Sequence, residues 1–125
     1  MTSAVANLEL QSLEARYGEV AVVPQPDGSV HIVLESVRLP FGWSQATTRV
    51  AFVLPVGYPA AQPDCFFTEE SLRLASGALP QNAGMQQLGN TTWLWFSWHL
   101  TRWTPGRDNA VTFAHFIESR LANAR

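Results

Sequence analysis

Two residues in the C-terminal half of the chain, Ser97 and His99, have the types and the spacing that nucleophilic catalysis needs. In an extended segment, residues two positions apart point to the same face. An imidazole beside a hydroxyl can activate a serine as a nucleophile, or it can act as a general base for an incoming nucleophile. The alternative is a local role, in which both side chains hydrogen-bond the nearby backbone and shape a loop.

The chain has a single cysteine, Cys65, within the segment Asp64-Cys65-Phe66-Phe67. One cysteine excludes an internal disulfide and a cysteine-based zinc site, and the three histidines are too scattered in sequence to form a metal motif. The apolar neighbours favour a buried, inert thiol over a nucleophile, since a free cysteine commonly packs as a small hydrophobic side chain. The sequence therefore predicts no metal and no cofactor.

Asp108 is a further candidate, because it follows Trp103-Thr104-Pro105-Gly106 a short distance after His99. Its carboxylate could orient the His99 ring. The simpler expectation is that Asp108 caps the helix that begins near residue 109, because aspartate is a preferred residue at that position.

The elements that must position these residues follow from hydrophobic periodicity. Helical spacing predicts an amphipathic helix over 4–17, capped by Thr2 or Ser3, and a second helix over about 109–123. Alternation and turn residues predict strands over 19–23, 29–37, about 48–54 and 65–67. Residues 68–92 are expected to be largely irregular. Helices and strands are thus segregated, which indicates an α+β fold: an antiparallel sheet packed by helices on one side.

The segment that leads to Ser97 is rich in tryptophan. Alternation places Trp93, Trp95 and Ser97 on one side of an extended chain. It places Leu94, Phe96 and Trp98 on the other side. Both sides are then apolar, so at least one is expected to cover another layer or a partner.

Length and composition limit the possible classes of protein. With 125 residues, of which 46% are hydrophobic, we expect one compact domain over residues 1–125. The net charge of −2 argues against nucleic-acid binding. All eight basic residues are arginine, so the chain has no lysine. No apolar run has the roughly 20 residues that a membrane span needs, and the first residues lack the features of a signal peptide, so we expect a cytoplasmic protein without a membrane contact.

The ordered motifs of the chain resemble a known family. These motifs are Leu54-Pro55-x-Gly57-Tyr58-Pro59, Pro63-Asp64-x-Phe66, Trp93-x-x-Phe96-Ser97-x-His99 and Trp103-x-Pro105-Gly106-x-Asp108. Over about residues 4–121, the set resembles the ubiquitin-conjugating (E2/UBC-like, RWD-like) fold. It resembles most closely the prokaryotic E2 family E, from bacterial ubiquitin-like conjugation systems. The resemblance implies a ubiquitin-like protein and an E1-like activating enzyme as partners, with a JAB-type peptidase in the same pathway.

The chain departs from ordinary E2 enzymes at the place where their catalytic cysteine lies, because residues 92–100 contain no cysteine. Within this resemblance, Asn82 is the counterpart of the asparagine that shapes the E2 site and stabilises the oxyanion, although a simple loop role is also open. The resemblance implies a noncanonical transferase that forms an ester on Ser97 with help from His99. The alternatives are a non-catalytic E2 variant that binds a ubiquitin-like protein or an E1, and an RWD-like interaction domain with no link to such proteins.

Overall fold

The structure is a computed structural model that describes residues 6–125. The elements, in chain order, are α1 (Asn7–Tyr17), β1 (Val20–Pro24), β2 (Val30–Arg38), β3 (Thr47–Leu54), β4 (Phe66–Glu69), β5 (Ala83–Leu88), β6 (Thr91–Phe96) and α2 (Ala110–Leu121). The fold is therefore α+β, with two helices at the ends of the chain and six strands between them, as the sequence predicts at this level of detail.

All six strands form one antiparallel sheet in the order β1-β2-β3-β4-β6-β5. The first four strands form a meander. The chain then skips the position next to β4 and forms β5 at the sheet edge. β6 then returns between β5 and β4, with Phe66 opposite Phe96 and Phe67 opposite Trp95. Because β4 and β6 are antiparallel, the residues just before β4 lie beside the residues just after β6.

Both helices pack on one face of the sheet. The buried cluster on this face joins Leu13 and Tyr17 of α1 to Phe113 and Ile117 of α2 and to inward side chains of the sheet. The sheet members alternate along their strands: Ile32 and Leu34 in β2, Val50, Phe52 and Leu54 in β3, and Leu94 and Phe96 in β6. Burying these apolar side chains against the helices supplies the main stabilisation of the fold.

The opposite face of the sheet carries a smaller apolar cluster. Ala51, Phe67 and Trp93 are buried there, and Trp95 packs against them. The guanidinium of Arg49 lies 5.0 Å from the centre of the Trp93 ring. The predicted alternation in the tryptophan-rich segment is confirmed. Trp93 and Trp95 belong to this smaller cluster, whereas Leu94, Phe96 and Trp98 pack in the core beneath the helices.

Residues 70–82 are irregular, as the sequence predicts, but the segment 68–92 also contains the end of β4, all of β5 and the start of β6, which the sequence did not predict. Ala-Gly-Met-Gln-Gln-Leu has little intrinsic preference for a strand, and pairing with β6 imposes its extended conformation. The available signal was Gly89-Asn90, which forms the tight turn between Leu88 and Thr91 with Gly89 at a φ of 64°.

The helix ends also differ from the prediction. Thr2 and Ser3 lie outside the described residues, and Ala6 is at the N-cap position of α1, where its N–H donates to the Glu9 carboxylate at 3.1 Å. α2 is capped by Asn109 and not by Asp108. The Asn109 side chain accepts hydrogen bonds from the N–H groups of Val111 and Thr112.

Within residues 6–125, no helix has the length and the apolar character that crossing a membrane would need.

Candidate active site

The pairing of β4 with β6 assembles the candidate site. Phe66 and Phe96 are the last paired residues at this end of the two strands. Continuing the same antiparallel register by one or two residues brings Asp64 and Cys65 next to Ser97 and Trp98. The two segments that carry candidate chemistry are therefore neighbours in space, although about 35 residues separate them in sequence.

Ser97, His99 and Asp64 form a continuous chain of contacts. Ser97 Oγ lies 3.3 Å from His99 Nε2, and His99 Nδ1 lies 2.5 Å from Asp64 Oδ1. A carboxylate only accepts hydrogen bonds, so this contact calls for the His99 tautomer with the proton on Nδ1, in which Nε2 can accept the Ser97 hydroxyl proton. This tautomer is the one a general base needs, and the order of the three groups is that of a Ser-His-Asp triad.

The site is accessible to solvent. The side chains of His99 and Asp64 are 54% and 68% exposed, while Ser97 is half-buried. A pocket of about 260 Å³ opens beside Asp64. Its lining consists of Val53, Pro55, Gln62, Asp64, Cys65, Phe67, Gln86 and Trp95. The His99 and Asp64 side chains are therefore open to an approaching reactant, and a mainly apolar pocket lies beside Asp64.

Hydrogen bonds between loops hold the segments of the site together. The Gln62 side chain donates to the Leu100 carbonyl at 3.0 Å, which links the segment before Asp64 to the segment after His99. The Trp103 indole N–H donates to the Pro59 carbonyl at 2.9 Å. These bonds limit the relative movement of the two segments and so favour the contact between His99 and Asp64.

Asn82 is adjacent to Ser97 through the backbone. The Ser97 N–H donates to the Asn82 carbonyl at 2.8 Å, directly beyond the last pair of β5 and β6. Asn82 has a φ of 61°, a left-handed conformation that asparagine tolerates better than most residues. The structure thus brings Asn82 to the serine by its main chain, and its proposed oxyanion role remains a prediction.

Asp108 does not contact His99 in this arrangement. Its carboxylate accepts a hydrogen bond from the Thr104 N–H at 2.7 Å and closes the turn after Trp103. The carboxylate that faces His99 belongs to Asp64, so the expected position of Asp108 beside the ring is corrected. The physical reason is that sequence proximity to His99 counts for less than the strand pairing that carries Asp64 to it.

The sequence contains one indication of where Asp64 lies, because the Pro63-Asp64 motif stands just before a short apolar strand. Proline restricts the backbone and helps to fix where the strand begins, so the following aspartate lies at a defined strand end. That Asp64 contacts His99 follows only from the register of β4 and β6. Sequence reasoning therefore identified two members of the contact chain and missed the third.

Cys65 lies next to this chain of contacts. Its Sγ, a carboxylate oxygen of Asp64 and a ring nitrogen of His99 all lie within 4.8 Å of one another. Burial raises the pKa of the Cys65 thiol, and the neighbouring Trp95 side chain acts in the opposite direction with a smaller effect. The half-buried thiol is less isolated than its apolar sequence context indicates.

A buried arginine supports the segment around Ser97 from the core side. Arg120 of α2 is only 2% exposed. Its guanidinium lies 5.3 Å from the centre of the Phe96 ring and 5.1 Å from that of Trp98, the two residues that flank Ser97. It also donates to the Gln81 carbonyl at 3.2 Å, next to Asn82. One side chain thus contacts the end of β6 and the segment that leads into β5.

Comparison with known proteins agrees with these features. The α+β architecture, with two helices and an antiparallel sheet, is consistent with the class of E2-like domains. The model of a family described as prokaryotic E2 family E matches residues 7–124, and the chain belongs to that family. Membership supports an E2-like role in ubiquitin-like conjugation. The comparisons with curated proteins and with solved structures gave no match.

Proposed function

We propose that the chain is a noncanonical transferase that carries the C-terminus of a ubiquitin-like protein as an ester on Ser97. The observation that supports this most directly is the contact chain from Ser97 Oγ through His99 to Asp64, at 3.3 Å and 2.5 Å. Family membership supports the ubiquitin-like protein and an E1-like enzyme as the partners.

In the first step, Ser97 Oγ attacks the activated carbonyl carbon at the C-terminus of the ubiquitin-like protein, held as a thioester by the E1-like enzyme. The new bond joins Oγ to this carbon, and the carbon–sulfur bond of the donor breaks. The hydroxyl proton passes to His99 Nε2 and then to the leaving thiolate. Asp64 accepts the hydrogen bond from Nδ1 and stabilises the charge that develops on the ring.

In the second step, an acceptor amine attacks the ester carbon. The bond between the carbon and Oγ breaks, His99 takes a proton from the amine, and Ser97 regains its hydroxyl proton. The chain has no lysine, so it offers no side-chain amine that would compete as an acceptor. Asn82 is proposed to contribute its side-chain amide to the developing oxyanion, and the apolar pocket next to Asp64 gives room for the end of the donor.

The test is to incubate the protein with a cognate E1-like enzyme, a ubiquitin-like protein and ATP, and to measure the covalent adduct. We expect an adduct that resists thiol reductants, is cleaved by hydroxylamine and is absent from Ser97→Ala. Asp64→Asn is expected to form it about 100-fold more slowly, because the ring loses the carboxylate that fixes its tautomer.

Ser119→Ala is the matched control, because it removes a serine hydroxyl that donates within α2 to the His115 carbonyl, and it should form the adduct at the wild-type rate. An adduct that thiol reductants remove, or one that persists in Ser97→Ala, would contradict the proposed nucleophile.

The second candidate is a non-catalytic E2 variant that binds a ubiquitin-like protein or an E1-like enzyme. It is favoured by the absence of cysteine in residues 92–100 and by the apolar cluster of Phe67 and the partly buried Trp95, which lies on the sheet face away from the helices. In that case, partner binding measured by calorimetry survives the double substitution Ser97→Ala/His99→Ala, and no adduct forms with the wild-type protein.

A further inference from the structure

Three different metal-binding groups converge beside the pocket. Asp64 supplies a carboxylate oxygen, Cys65 a thiol sulfur and His99 an imidazole nitrogen, and these donor atoms all lie within 4.8 Å of one another. No other group of this kind is found among residues 6–125. The sequence hides the cluster, because His99 comes 35 residues after Asp64 and joins it only through the pairing of β4 with β6.

We propose that Asp64, Cys65 and His99 form a binding site for Zn²⁺. Sulfur, nitrogen and carboxylate oxygen are the three donor types that zinc takes in proteins, and three protein ligands leave a fourth position open. A thiolate, a carboxylate and a neutral imidazole also balance the two positive charges of the ion. The pocket that Asp64 and Cys65 line provides the open side for the fourth ligand.

The geometry requires only local adjustment. Ligands of a tetrahedral zinc ion lie about 2.0–2.3 Å from the metal and therefore about 3.3–3.8 Å from one another. The Asp64 and His99 atoms, now 2.5 Å apart, must separate by about 1 Å. The donor atoms are at most 4.8 Å apart, so the widest pair must close by no more than about 1 Å to about 1.5 Å. The Asp64 and His99 side chains are more than half exposed, so they have room to rotate by this amount.

Zinc binding would release a proton and break a hydrogen bond in the site. The thiol of Cys65 releases its proton, and the ring nitrogen that binds zinc can no longer donate to Asp64. The consequence for activity rests on the proposed function. Zinc inhibits the Ser97 site, because zinc binding breaks the hydrogen bond between the Asp64 carboxylate and the His99 ring. The metal thus competes with the arrangement that activates the serine.

The test is direct titration of the purified full chain with Zn²⁺ against a chromogenic chelator, without any E1-like enzyme or ubiquitin-like protein. We expect saturable binding of one ion. Cys65→Ala should weaken binding by more than about 10-fold, since even the loss of an outer-shell partner of a metal ligand costs that much. His115→Ala removes an exposed histidine of α2 and should bind as the wild type does.

Co²⁺ provides a second readout that depends on the sulfur. The wild-type complex should show a thiolate-to-cobalt charge-transfer band, and Cys65→Ser should lack it while retaining its far-ultraviolet circular dichroism spectrum. Absence of saturable zinc binding, equal affinity in Cys65→Ala, or a cobalt complex without the band would each overturn the proposal. None of these results depends on whether Ser97 forms an ester, so the two proposals fail separately.

Discussion

Arg120 offers a sharp test of how the core supports the candidate site. Its guanidinium donates to the carbonyls of Asn123 at 3.0 Å, Gln81 at 3.2 Å and Arg125 at 2.8 Å. It also stacks against the Phe96 and Trp98 rings. Burial lowers the pKa of Arg120, and the nearby Arg125 charge acts in the same direction. Arg120→Met keeps an unbranched side chain of similar length and removes all of the polar contacts.

The expected cost follows from these contacts. Each hydrogen bond contributes about 1 kcal/mol net, and each ring contact about 1 kcal/mol in a buried place. Part of this loss is offset, because Arg120 Nε has no hydrogen-bond partner and leaving that donor buried costs about 1–3 kcal/mol. We therefore expect Arg120→Met to lower the free energy of unfolding by about 3 kcal/mol, which corresponds to a fall in Tm of about 10 °C.

The measurement is urea unfolding followed by tryptophan fluorescence, together with hydrogen exchange of the Ser97 amide. That amide donates to the Asn82 carbonyl, so it reports whether the two strand ends remain together. Leu13→Ala is the matched control, since Leu13 is fully buried in α1 and its truncation costs about 2–5 kcal/mol.

At equal loss of stability, Ser97 should lose more protection in Arg120→Met than in Leu13→Ala. The reasoning is refuted if Arg120→Met unfolds within about 0.5 kcal/mol of wild type, or if the two variants expose the Ser97 amide equally.

Two further predictions concern the scaffold. Burial lowers the pKa of His31 from its usual 6.5, with the charge of Asp27 acting in the opposite direction. The stability that the neutral ring provides is thus complete above pH 6.5 and is lost as the pH falls from there through the lowered pKa. His31→Phe should flatten this part of the unfolding free energy curve, and an identical slope in both proteins would contradict the assignment. Asn109→Ala removes the cap of α2 and should cost about 1 kcal/mol in urea unfolding. Asn7→Ala at the exposed start of α1 should cost less than about 0.5 kcal/mol, and equal costs would argue against the cap.

The strands that sequence predicts well are those with a strong alternating pattern. Val30, Ile32 and Leu34 point to the helix-covered core at every second residue, and the structure places the strand at Val30–Arg38. β5 lacks such a pattern, because it lies at the sheet edge and three of its six residues are exposed. An edge strand with little burial leaves almost no hydrophobic signal, so only its turn residues could have indicated it.

In the candidate site, too, some features depend on residues close in sequence and others on residues far apart in sequence. By itself, the sequence determined the residue types, the absence of lysine, the apolar alternation around Trp93 and the shared face of Ser97 and His99, since these depend on near neighbours in the chain. The tertiary structure decided that Asp64, and not Asp108, faces His99, and that Cys65 lies beside both. The physical reason is strand register: the antiparallel pairing of β4 with β6 joins segments about 35 residues apart, and no local periodicity encodes that partner.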